Sequence, residues 1–389
     1  MAFFTRDPMN LLPFFAFSTL LHGYIGIRLL LDAAGSPVFQ SLLAAGLLLS
    51  ALLMPLGLTG SRRLRPALSV WLTWAGLLFM GLFSSLLVLT LLRDLLLLLA
   101  ALASLVWPGV LPLVAWRTLS AQLVPALALA VTLLGFINAR RTAGVVRVDV
   151  PIRNLPAGLH GFTLAQISDV HVGPTIRRNY LRRIVARVNS LKADLVAITG
   201  DLVDGRVIEL AGHVAPLAEL QSRHGTFFVT GNHEYYSGAQ AWIAELRRLG
   251  LTVLINEHVV LRHDLPVLVL AGVTDFNAGH FDAGHHSDPH AALAGAPEAA
   301  VRVLLAHQPR SAPAAAAAGY HLQLSGHTHG GQFWPWNLFV PLQQPFTSGL
   351  HRMHDLWVYT SRGTGYWGPP KRFGAPSEIT LLRLVLAPD

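Results

Sequence analysis

Residues 162–171 spell Phe-Thr-Leu-Ala-Gln-Ile-Ser-Asp-Val-His, a short apolar run that ends in a carboxylate and an imidazole. The run over 163–168 predicts a β-strand. Asp169 and His171 are two positions apart, so in an extended chain their side chains would point to the same side. A carboxylate oxygen and an imidazole nitrogen placed in this way can bind one metal ion. The stretch therefore predicts a strand that ends at a metal site.

The same arrangement recurs four more times along the chain. Apolar runs are followed directly by Asp, Asn or His: 195–199 by Gly200-Asp201, 227–230 by Gly231-Asn232-His233-Glu234, 301–306 by His307, and 322–324 by Ser325-Gly326-His327-Thr328-His329. Each motif alone is typical of a turn or of a hydrogen-bonded structural residue. Together they predict one metal site, because ligand sites of open sheets lie at the carboxyl ends of strands.

Short apolar runs and amphipathic stretches alternate through residues 143–389, which favours an α/β fold of strand layers covered by helices. The region begins with the alternating run 145–150. We predict further strands at 194–199, 226–230, 252–255, 259–262, 267–271, 301–306, 320–325 and 356–360. We predict helices at about 176–190, 209–220, 238–249 and 310–317.

Taken together, the motifs resemble those of the calcineurin-like metallophosphoesterase superfamily. The matching residues are Asp169-x-His171, Gly200-Asp201-x-x-Asp204, Gly231-Asn232-His233-Glu234, His307 and Gly326-His327-x-His329. The resemblance covers residues 155–385 and implies a four-layer α-β-β-α sandwich. Flanking motifs at 155–161, 330–332 and 361–365 are similar to the membrane-anchored branch, which is often compared with enzymes that split UDP-2,3-diacylglucosamine. Ser377 departs from that branch, where a second proline is expected.

The resemblance also implies a role for each residue at the strand ends. Asp201 would bridge two divalent ions, for which Mn²⁺, Fe or Zn²⁺ would all suit the oxygen and imidazole ligands. The first ion would be held by Asp169, His171, Asp201 and His329, and the second by Asp201, Asn232, His307 and His327. His233 is the candidate leaving-group acid or phosphate-oxygen donor. Asp204 either orients His233 or is only a capping carboxylate, and both interpretations stay open.

Residues 1–142 differ in composition from the rest of the chain. They hold nine Arg, three Asp and no Lys among mostly apolar or small residues, whereas 143–389 hold 20 basic and 18 acidic residues. A helix needs about 20 apolar residues to span a bilayer. We therefore predict a transmembrane helical anchor over 1–142, followed by the phosphoesterase domain over 143–389. The apolar segments of the anchor lie at about 11–31, 39–58, 67–92, 95–114 and 119–138.

The number of crossings stays open between four and five. Only Arg93-Asp94 separates the third segment from the fourth, without a Gly or Pro to turn the chain. The cluster Arg62-Arg63-Arg65 predicts a cytoplasmic loop. With four crossings the domain over 143–389 would be cytoplasmic, and with five it would lie outside. We interpret the chain as an integral protein of a bacterial-type cell (inner) membrane and leave the side of the catalytic domain open.

Three further groups of side chains allow two interpretations each. The loop 276–290 suits another metal site or a solvated loop, and Asp275 before it either lines the cleft or belongs to a turn. The helix at 176–190 presents a solvated basic face or one that meets anionic lipid headgroups. The aromatic residues after His329 belong to a core or lid, or contact lipid. The loop contains His280, His285, His286 and His290. The helix carries Arg177, Arg178, Arg182, Arg183 and Arg187. The aromatic residues are Phe333, Trp334, Trp336, Phe339 and Phe346.

These observations predict a membrane-anchored binuclear-metal phosphohydrolase of lipid metabolism. Its substrate would contain a phosphoester or pyrophosphate bond and would be lipid-linked. The alternative is a membrane sensor or scaffold with an idle metal centre. Transport is a third hypothesis, although His22 is the main polar group found within the apolar segments. Nucleic acid is not expected as a partner, because the basic excess lies between apolar segments. The lack of cysteine excludes disulfides and thiolate metal ligands.

Overall fold

The computed structural model describes residues 12–33, 36–59, 66–262, 267–298 and 301–388. The chain forms two compact units. The first contains the chain up to Ile137 together with Gly368–Lys371, and the second contains Asn138–Trp367 and the chain from Arg372 onward. The cluster Arg62-Arg63-Arg65 lies outside the described residues.

The first unit consists of helices whose leucine-rich sequence favours helix formation. They are α1 (Leu12–Leu30), α2 (Pro37–Thr59), α3 (Pro66–Val106) and α4 (Leu113–Arg140), the last three residues of α4 being part of the second unit. Among the described residues, three stretches are long and apolar enough to cross a membrane: Pro37–Leu58, Leu68–Val106 and Leu113–Arg140. Leucines such as Leu48 and Leu105 are exposed on these helices, as expected of surfaces that contact lipid.

The predicted segment 67–92 and most of the predicted segment 95–114 form one helix, in agreement with the lack of a Gly or Pro between them. Helix α3 continues through Arg93 and Asp94 to Val106. Arg93 is buried and donates to Asp32 and to Oγ of Ser120, while Asp94 accepts from Arg28 at 2.7 Å. Because both charges are satisfied by side chains of the same unit, they do not interrupt the helix. The number of membrane crossings stays a prediction.

The second unit contains two six-stranded sheets. In the first sheet the strands lie in the order β1, β12, β2, β3, β4, β5, and in the second they lie in the order β10, β11, β9, β8, β7, β6. In chain order the strands are β1 (Gly144–Ile152), β2 (Thr163–Ile167), β3 (Leu195–Ile198), β4 (Thr226–Phe228), β5 (Thr252–Val253), β6 (Glu257–Arg262), β7 (Val267–Gly272), β8 (Val301–Leu305), β9 (Leu322–Ser325), β10 (Gly349–Met353), β11 (Leu356–Thr360) and β12 (Glu378–Leu386).

The two sheets are stacked, and helices cover their outer faces. Leu164 of β2, Leu270 of β7 and Leu305 of β8 belong to the apolar core between the sheets. A second core joins the first sheet to its helices, and a third joins the second sheet to Ala312 and Ala315. The helices are α5 (Arg178–Asn189), α6 (Val207–Val214), α7 (Asn232–Ser237), α8 (Ala239–Arg248) and α9 (Ala312–Ala317). The predicted α-β-β-α layering is confirmed.

The topology brings the sequence motifs to one edge of the sandwich. Strands β2, β3 and β4 run parallel side by side, so their carboxyl ends deliver the motifs at Asp169, Asp201 and Asn232 together. Strands β7, β8 and β9 do the same in the second sheet for His307 and for the motif at 326–329. The sheet stacking then places the two sets of side chains against each other.

Candidate metal centre

The residues at the strand ends lie in tight loops rather than in extended chain. Strand β2 ends at Ile167, and Asp169 and His171 have φ values of 53° and 56°. The extended geometry that we inferred for this pair is therefore wrong. Backbone bonds hold the loop, since Asp169 N–H donates to Gly200 O at 3.0 Å and His171 N–H donates to Asp201 O at 3.1 Å. Positive φ is shared by Asp169, His171, Asp201, His327 and His329.

Asp201 lies at the middle of the cluster. Its Oδ2 is 3.2 Å from Nε2 of His307 and 4.0 Å from Nε2 of His171. Ligand-type atoms approach within 4.8 Å of one another in three groups. The groups are Asp169, His171 and His329; His171, Asp201 and His233; and Asp201, His307 and His327. Every one of these side chains is buried or nearly so, and divalent ions are able to bind here.

Hydrogen bonds fix which ring nitrogen of two histidines faces the cluster. Nδ1 of His171 is 2.9 Å from Oδ1 of Asp204, and Nδ1 of His307 is 2.7 Å from the carbonyl oxygen of Thr199. Because both acceptors lack a proton, each Nδ1 carries the hydrogen. The Nε2 atom of both rings is then directed into the cluster, which is the usual arrangement behind a metal-binding histidine.

Several nitrogen and oxygen atoms are placed as ligands of a bound cation would be, rather than as hydrogen-bond partners of one another. Nε2 of His171 lies 3.0 Å from Nε2 of His329, and Nε2 of His307 lies 3.2 Å from Nδ1 of His327. In the described part of the chain, the buried Oδ1 of Asn232 has no hydrogen-bond partner. The donor atoms are an unpaired amide oxygen, imidazole nitrogens that face one another, and shared carboxylates. Together they form a set of ligands that suits divalent transition metals.

Two glycines allow the loops to approach this closely. A Cβ on Gly231 would lie 2.2 Å from Oδ1 of Asp201, and a Cβ on Gly326 would lie 2.2 Å from Oδ2 of Asp169. Both distances are far inside van der Waals contact. The glycines that precede Asn232 and His327 are therefore part of how the chain brings the carboxylates of one sheet to the histidines of the other.

The charges inside the cluster are strongly coupled. Burial opposes the ionisation of Asp201, but His307 and His233 outweigh it and hold the pKa of this carboxyl well below its usual range. Burial would likewise lower the pKa of His307, yet the Asp201 carboxylate raises it well above the ordinary value. Burial lowers the pKa of His327 to about 3, and the charge of His307 acts in the same direction. His327 therefore keeps a free lone pair at neutral pH.

His233 stands beside the cluster and shares Asp204 with His171. Its Nδ1 is 2.7 Å from Oδ1 of Asp204, and its Nε2 is 3.9 Å from Oδ2 of Asp201. Burial opposes protonation of the ring, but Asp201 and Asp204 together raise its pKa to about 9. Two imidazoles hold the pKa of Asp204 below its usual range against the effect of burial. The geometry favours the orienting role of Asp204 over a capping role.

The sequence interpretation missed two residues that support the cluster. Glu234 accepts hydrogen bonds from the backbone N–H groups of Gly231, Asp201 and Leu202 at 2.6–3.0 Å. Fully buried Arg372 donates to the carbonyl oxygen of His329 at 2.9 Å. Glu234 is part of a quoted motif, but a carboxylate that binds backbone and an arginine that lies 43 positions from its partner carry no local sequence signal.

The other candidate residues lie in different surroundings. In the histidine-rich loop, His285 hydrogen-bonds the Tyr235 hydroxyl at 2.8 Å, and no metal-type group of described residues includes the loop histidines. Asp275 is buried and accepts from Nε2 of Gln308 at 2.9 Å. The Ser377 hydroxyl donates to Gly365 O at 3.1 Å, a bond that a proline would not form. Phe333 is largely buried, whereas Trp334, Trp336 and Phe339 are exposed.

Comparison with known proteins agrees with this geometry. Residues 162–331 match the family described as calcineurin-like phosphoesterase. The chain is 41% identical over 288 residues to "Transmembrane protein with metallophosphoesterase domain" of Bos taurus, covering 70% of this chain and 65% of that protein. A protein of the same description from Danio rerio is 40% identical over 254 residues, covering 63% and 58%.

A third relative is matched over nearly its whole length. An uncharacterized metallophosphoesterase of Aquifex aeolicus is 31% identical over 242 residues, which cover 62% of this chain and 91% of that protein. The chain thus spans less than two thirds of the two vertebrate relatives but most of the bacterial one. From the matched domain, the strand-end motifs and the apolar helices, we conclude that the chain is a membrane-associated member of the calcineurin-like metallophosphoesterase family.

Proposed function

We propose that this chain is a phosphohydrolase that uses two divalent metal ions to cleave a phosphoester or pyrophosphate bond. The observation that supports this most strongly is the position of Asp201. It lies between two sets of imidazoles, one from each sheet, with its Oδ2 3.2 Å from His307 and 4.0 Å from His171. A carboxylate in the middle of facing histidines is suited to bridging a pair of cations.

The proposed ligands divide into two overlapping sets. Asp169, His171, Asp201 and His329 would hold one ion, and Asp201, Asn232, His307 and His327 would hold the other. When bound, such a pair supplies an activated water molecule and positive charge for the phosphoryl oxygens. The backbone loops and Glu234 hold the ligands in place, and burial keeps bulk water away from them.

His233 would handle the leaving group. Its Nε2 faces the cluster while Asp204 accepts the hydrogen of Nδ1. The protonated ring would donate either a proton to the departing oxygen or a hydrogen bond to a phosphoryl oxygen. An idle metal centre, as a sensor or scaffold would have, needs no such protonated group beside the ligands. The pair formed by His233 and Asp204 therefore favours an enzyme over a scaffold.

The proposed lipid-linked substrate rests on aromatic side chains around His233. The rings of Tyr236 and Trp367 lie 5.2 and 5.6 Å from the His233 ring, and Phe281 lies 5.5 Å from Tyr236. The Trp367 side chain is 53% exposed, although Gln332 fixes its backbone through two hydrogen bonds of 2.8 Å. A fixed aromatic group that faces solvent suits an apolar leaving group, such as that of the UDP-2,3-diacylglucosamine class.

The continuous helix α3 helps to predict on which side of the membrane the catalytic domain lies. If α3 and α4 each cross once, the end of α4 is on the same side of the membrane as the start of α3. The sequence just before α3 contains Arg62-Arg63-Arg65, whose charge favours the cytoplasmic side. We therefore place the domain at the cytoplasmic face of a bacterial-type inner membrane. A reporter that fluoresces only in the cytoplasm, fused after the last residue, should be bright, and a periplasmic reporter at the same position should be inactive.

The central proposal is tested with the detergent-purified full chain. With Mn²⁺ added, it should hydrolyse a generic phosphodiester, and Asp201→Asn should abolish turnover. The matched control is Asp149→Asn, which removes an exposed carboxylate that pairs with Arg383 and should leave the rate unchanged. Tight metal binding without turnover on mono-, di- and pyrophosphate substrates would support the scaffold instead.

The substrate class is tested separately. Trp367→Ala should raise KM for phosphodiesters with long alkyl leaving groups at least tenfold while leaving KM for a methyl ester within about twofold, because only the apolar contact is lost. The control is Trp357→Ala, whose indole donates to Pro151 O away from the cluster. Equal effects of Trp367→Ala on both substrates would refute the lipid part and leave the hydrolase proposal intact.

A further inference from the structure

Five arginines project from helix α5 and the residue before it. Arg177, Arg178, Arg182, Arg183 and Arg187 are exposed, whereas Leu181, Ile184 and Val188 of the same helix are buried against the first sheet. We call these five residues the arginine face. The helix therefore has one side that packs in the core and one that is almost purely cationic.

Among the described residues, no acidic side chain forms an ion pair with the arginine face. Within the described ranges, the five guanidinium groups contact only neutral atoms, such as the carbonyl oxygen of Pro174, Asn179 and the hydroxyl of Thr142. Two other exposed arginines of this unit are paired, since Arg206 pairs with Glu209 and Arg248 pairs with Glu245. Burial lowers the pKa of His213, and the nearby charges of Arg177 and Arg178 lower it further. The arginine face is thus a surface of concentrated positive charge.

The arginine face lies beside the end of the helix that precedes the domain. The Tyr180 hydroxyl of α5 donates to the carbonyl oxygen of Ala139 at 3.1 Å, and Arg183 donates to Thr142 at 3.3 Å. The guanidinium of Arg140 lies 5.5 Å from the Tyr180 ring. Ala139 and Arg140 are the last residues of α4, one of the stretches that are able to cross a membrane. Helix α5 is therefore fixed where the chain would leave the bilayer.

We propose that the arginine face binds the anionic phospholipid headgroups of the membrane in which α4 is anchored. The charge is complementary, because guanidinium groups form paired hydrogen bonds with phosphate oxygens. Basic residues next to a membrane helix are attracted to an anionic leaflet within about one Debye length of the surface. This contact orients the domain on the bilayer and does not depend on the proposed hydrolysis.

The absence of native cysteine makes the proposal directly testable. Ala186→Cys places a single thiol on the exposed side of α5, to be labelled with a fluorophore. The full chain is reconstituted in phosphatidylcholine vesicles, with or without about 30% phosphatidylglycerol, that carry a headgroup quencher. Quenching should be at least twofold stronger in the anionic vesicles and should fall to the neutral level in about 1 M salt, where charges are screened beyond about 3 Å.

Two triple variants separate the arginine face from net charge. Arg178→Gln, Arg182→Gln and Arg187→Gln together should abolish the extra quenching. Arg206→Gln, Arg247→Gln and Arg248→Gln remove equal charge from other surfaces and should preserve it. Circular dichroism and thermal unfolding serve as the folding check for both variants. Equal quenching in the two vesicle types, or equal loss in the two variants, would overturn the proposal. Binding of a labelled oligonucleotide that depends on the arginine face, without lipid-dependent quenching, would identify nucleic acid as the occupant instead.

Discussion

Oδ1 of Asp204 lies 2.7 Å from Nδ1 of His233, and the same oxygen is 2.9 Å from Nδ1 of His171. One carboxylate thus orients a proposed ligand and the proposed acid at once. Both rings must then turn their Nε2 atoms toward Asp201. A substitution of Asp204 is therefore expected to impair both metal binding by His171 and proton donation by His233.

Asp204→Asn should lower kcat by about 10- to 100-fold, the usual range for a residue that orients a metal ligand. The pKa of His233, now about 9, should fall because a carboxylate that raises it is lost. The protonated ring persists below that pKa, so the alkaline limb of the rate profile should move to lower pH in the variant. Rates measured across pH 6–10 check this.

The control for Asp204→Asn is Asp282→Asn, which alters a more exposed carboxylate 3.9 Å from His285. It should change neither kcat nor the pH profile. If Asp204→Asn lowered kcat without moving the alkaline limb, His233 would not be the group that titrates there.

Asn232→Ala should weaken the binding of one of the two proposed ions at least tenfold, because it removes a buried oxygen that has no hydrogen-bond partner among the described atoms. Metal content after dialysis against a weak chelator, measured by mass spectrometry, should drop from two ions per chain toward one. Asn256→Ala is the matched change in a half-buried bend outside the cluster, where Asn256 donates to His286 O. Retention of two ions by Asn232→Ala would remove this residue from the ligand set.

Glu234→Gln should lower the free energy of unfolding by about 1–3 kcal/mol, since a side-chain NH₂ would face backbone N–H groups and leave at least one unpaired. In a domain of this size that lowers Tm by roughly 2–4 °C per kcal/mol. Thermal unfolding in detergent measures the shift, and the exposed Glu219→Gln serves as control. An unchanged Tm would mean that the three backbone bonds to Glu234 contribute nothing.

Gly326→Ala should disrupt the metal centre without unfolding the domain. The new methyl group would meet Oδ2 of Asp169 at 2.2 Å and the hydroxyl of Ser168 at 2.0 Å, so the loop has to shift. Activity should fall at least 100-fold, while circular dichroism stays that of a folded α/β protein. Gly212→Ala lies in a helix with open space around it and should be neutral or slightly stabilising. Full activity of Gly326→Ala would show that the loop is not held tightly.

Sequence reasoning succeeded where the signal is local. Apolar runs such as 195–199 marked strands to within one or two residues, and the layered α/β class follows from their alternation with helices. It failed for strand β12, which lies between β1 and β2. The apolar run within 379–386 is itself typical of a strand, but its place in a sheet that begins more than 200 residues earlier depends on long-range pairing. The continuity of α3 through Arg93 and Asp94, by contrast, agrees with the lack of a Gly or Pro between the two apolar segments.

The site was predictable as a set of residues but not as a geometry. Strand-end motifs identified the residues around Asp201, because their order along the chain is itself the signal. The left-handed backbone at Asp169 and His171 is not visible in sequence, because Asp and His are enriched in this conformation but most residues of both types have negative φ. Arg372 was equally hidden, because its contact with His329 is made only after the sheets have stacked.

The left-handed loops have a consequence for the protein inside a cell. Five non-glycine residues of the candidate metal cluster have positive φ, among them Asp201 and His329. Each such residue opposes folding by about 1 kcal/mol or more. Bound ions would offset this by mass action, since they bind the folded chain and not the unfolded one. Metal starvation should therefore shorten the lifetime of the protein as well as silence it, because the metal-free chain unfolds more often and is degraded by proteases. The abundance of this chain would then follow the supply of its metal.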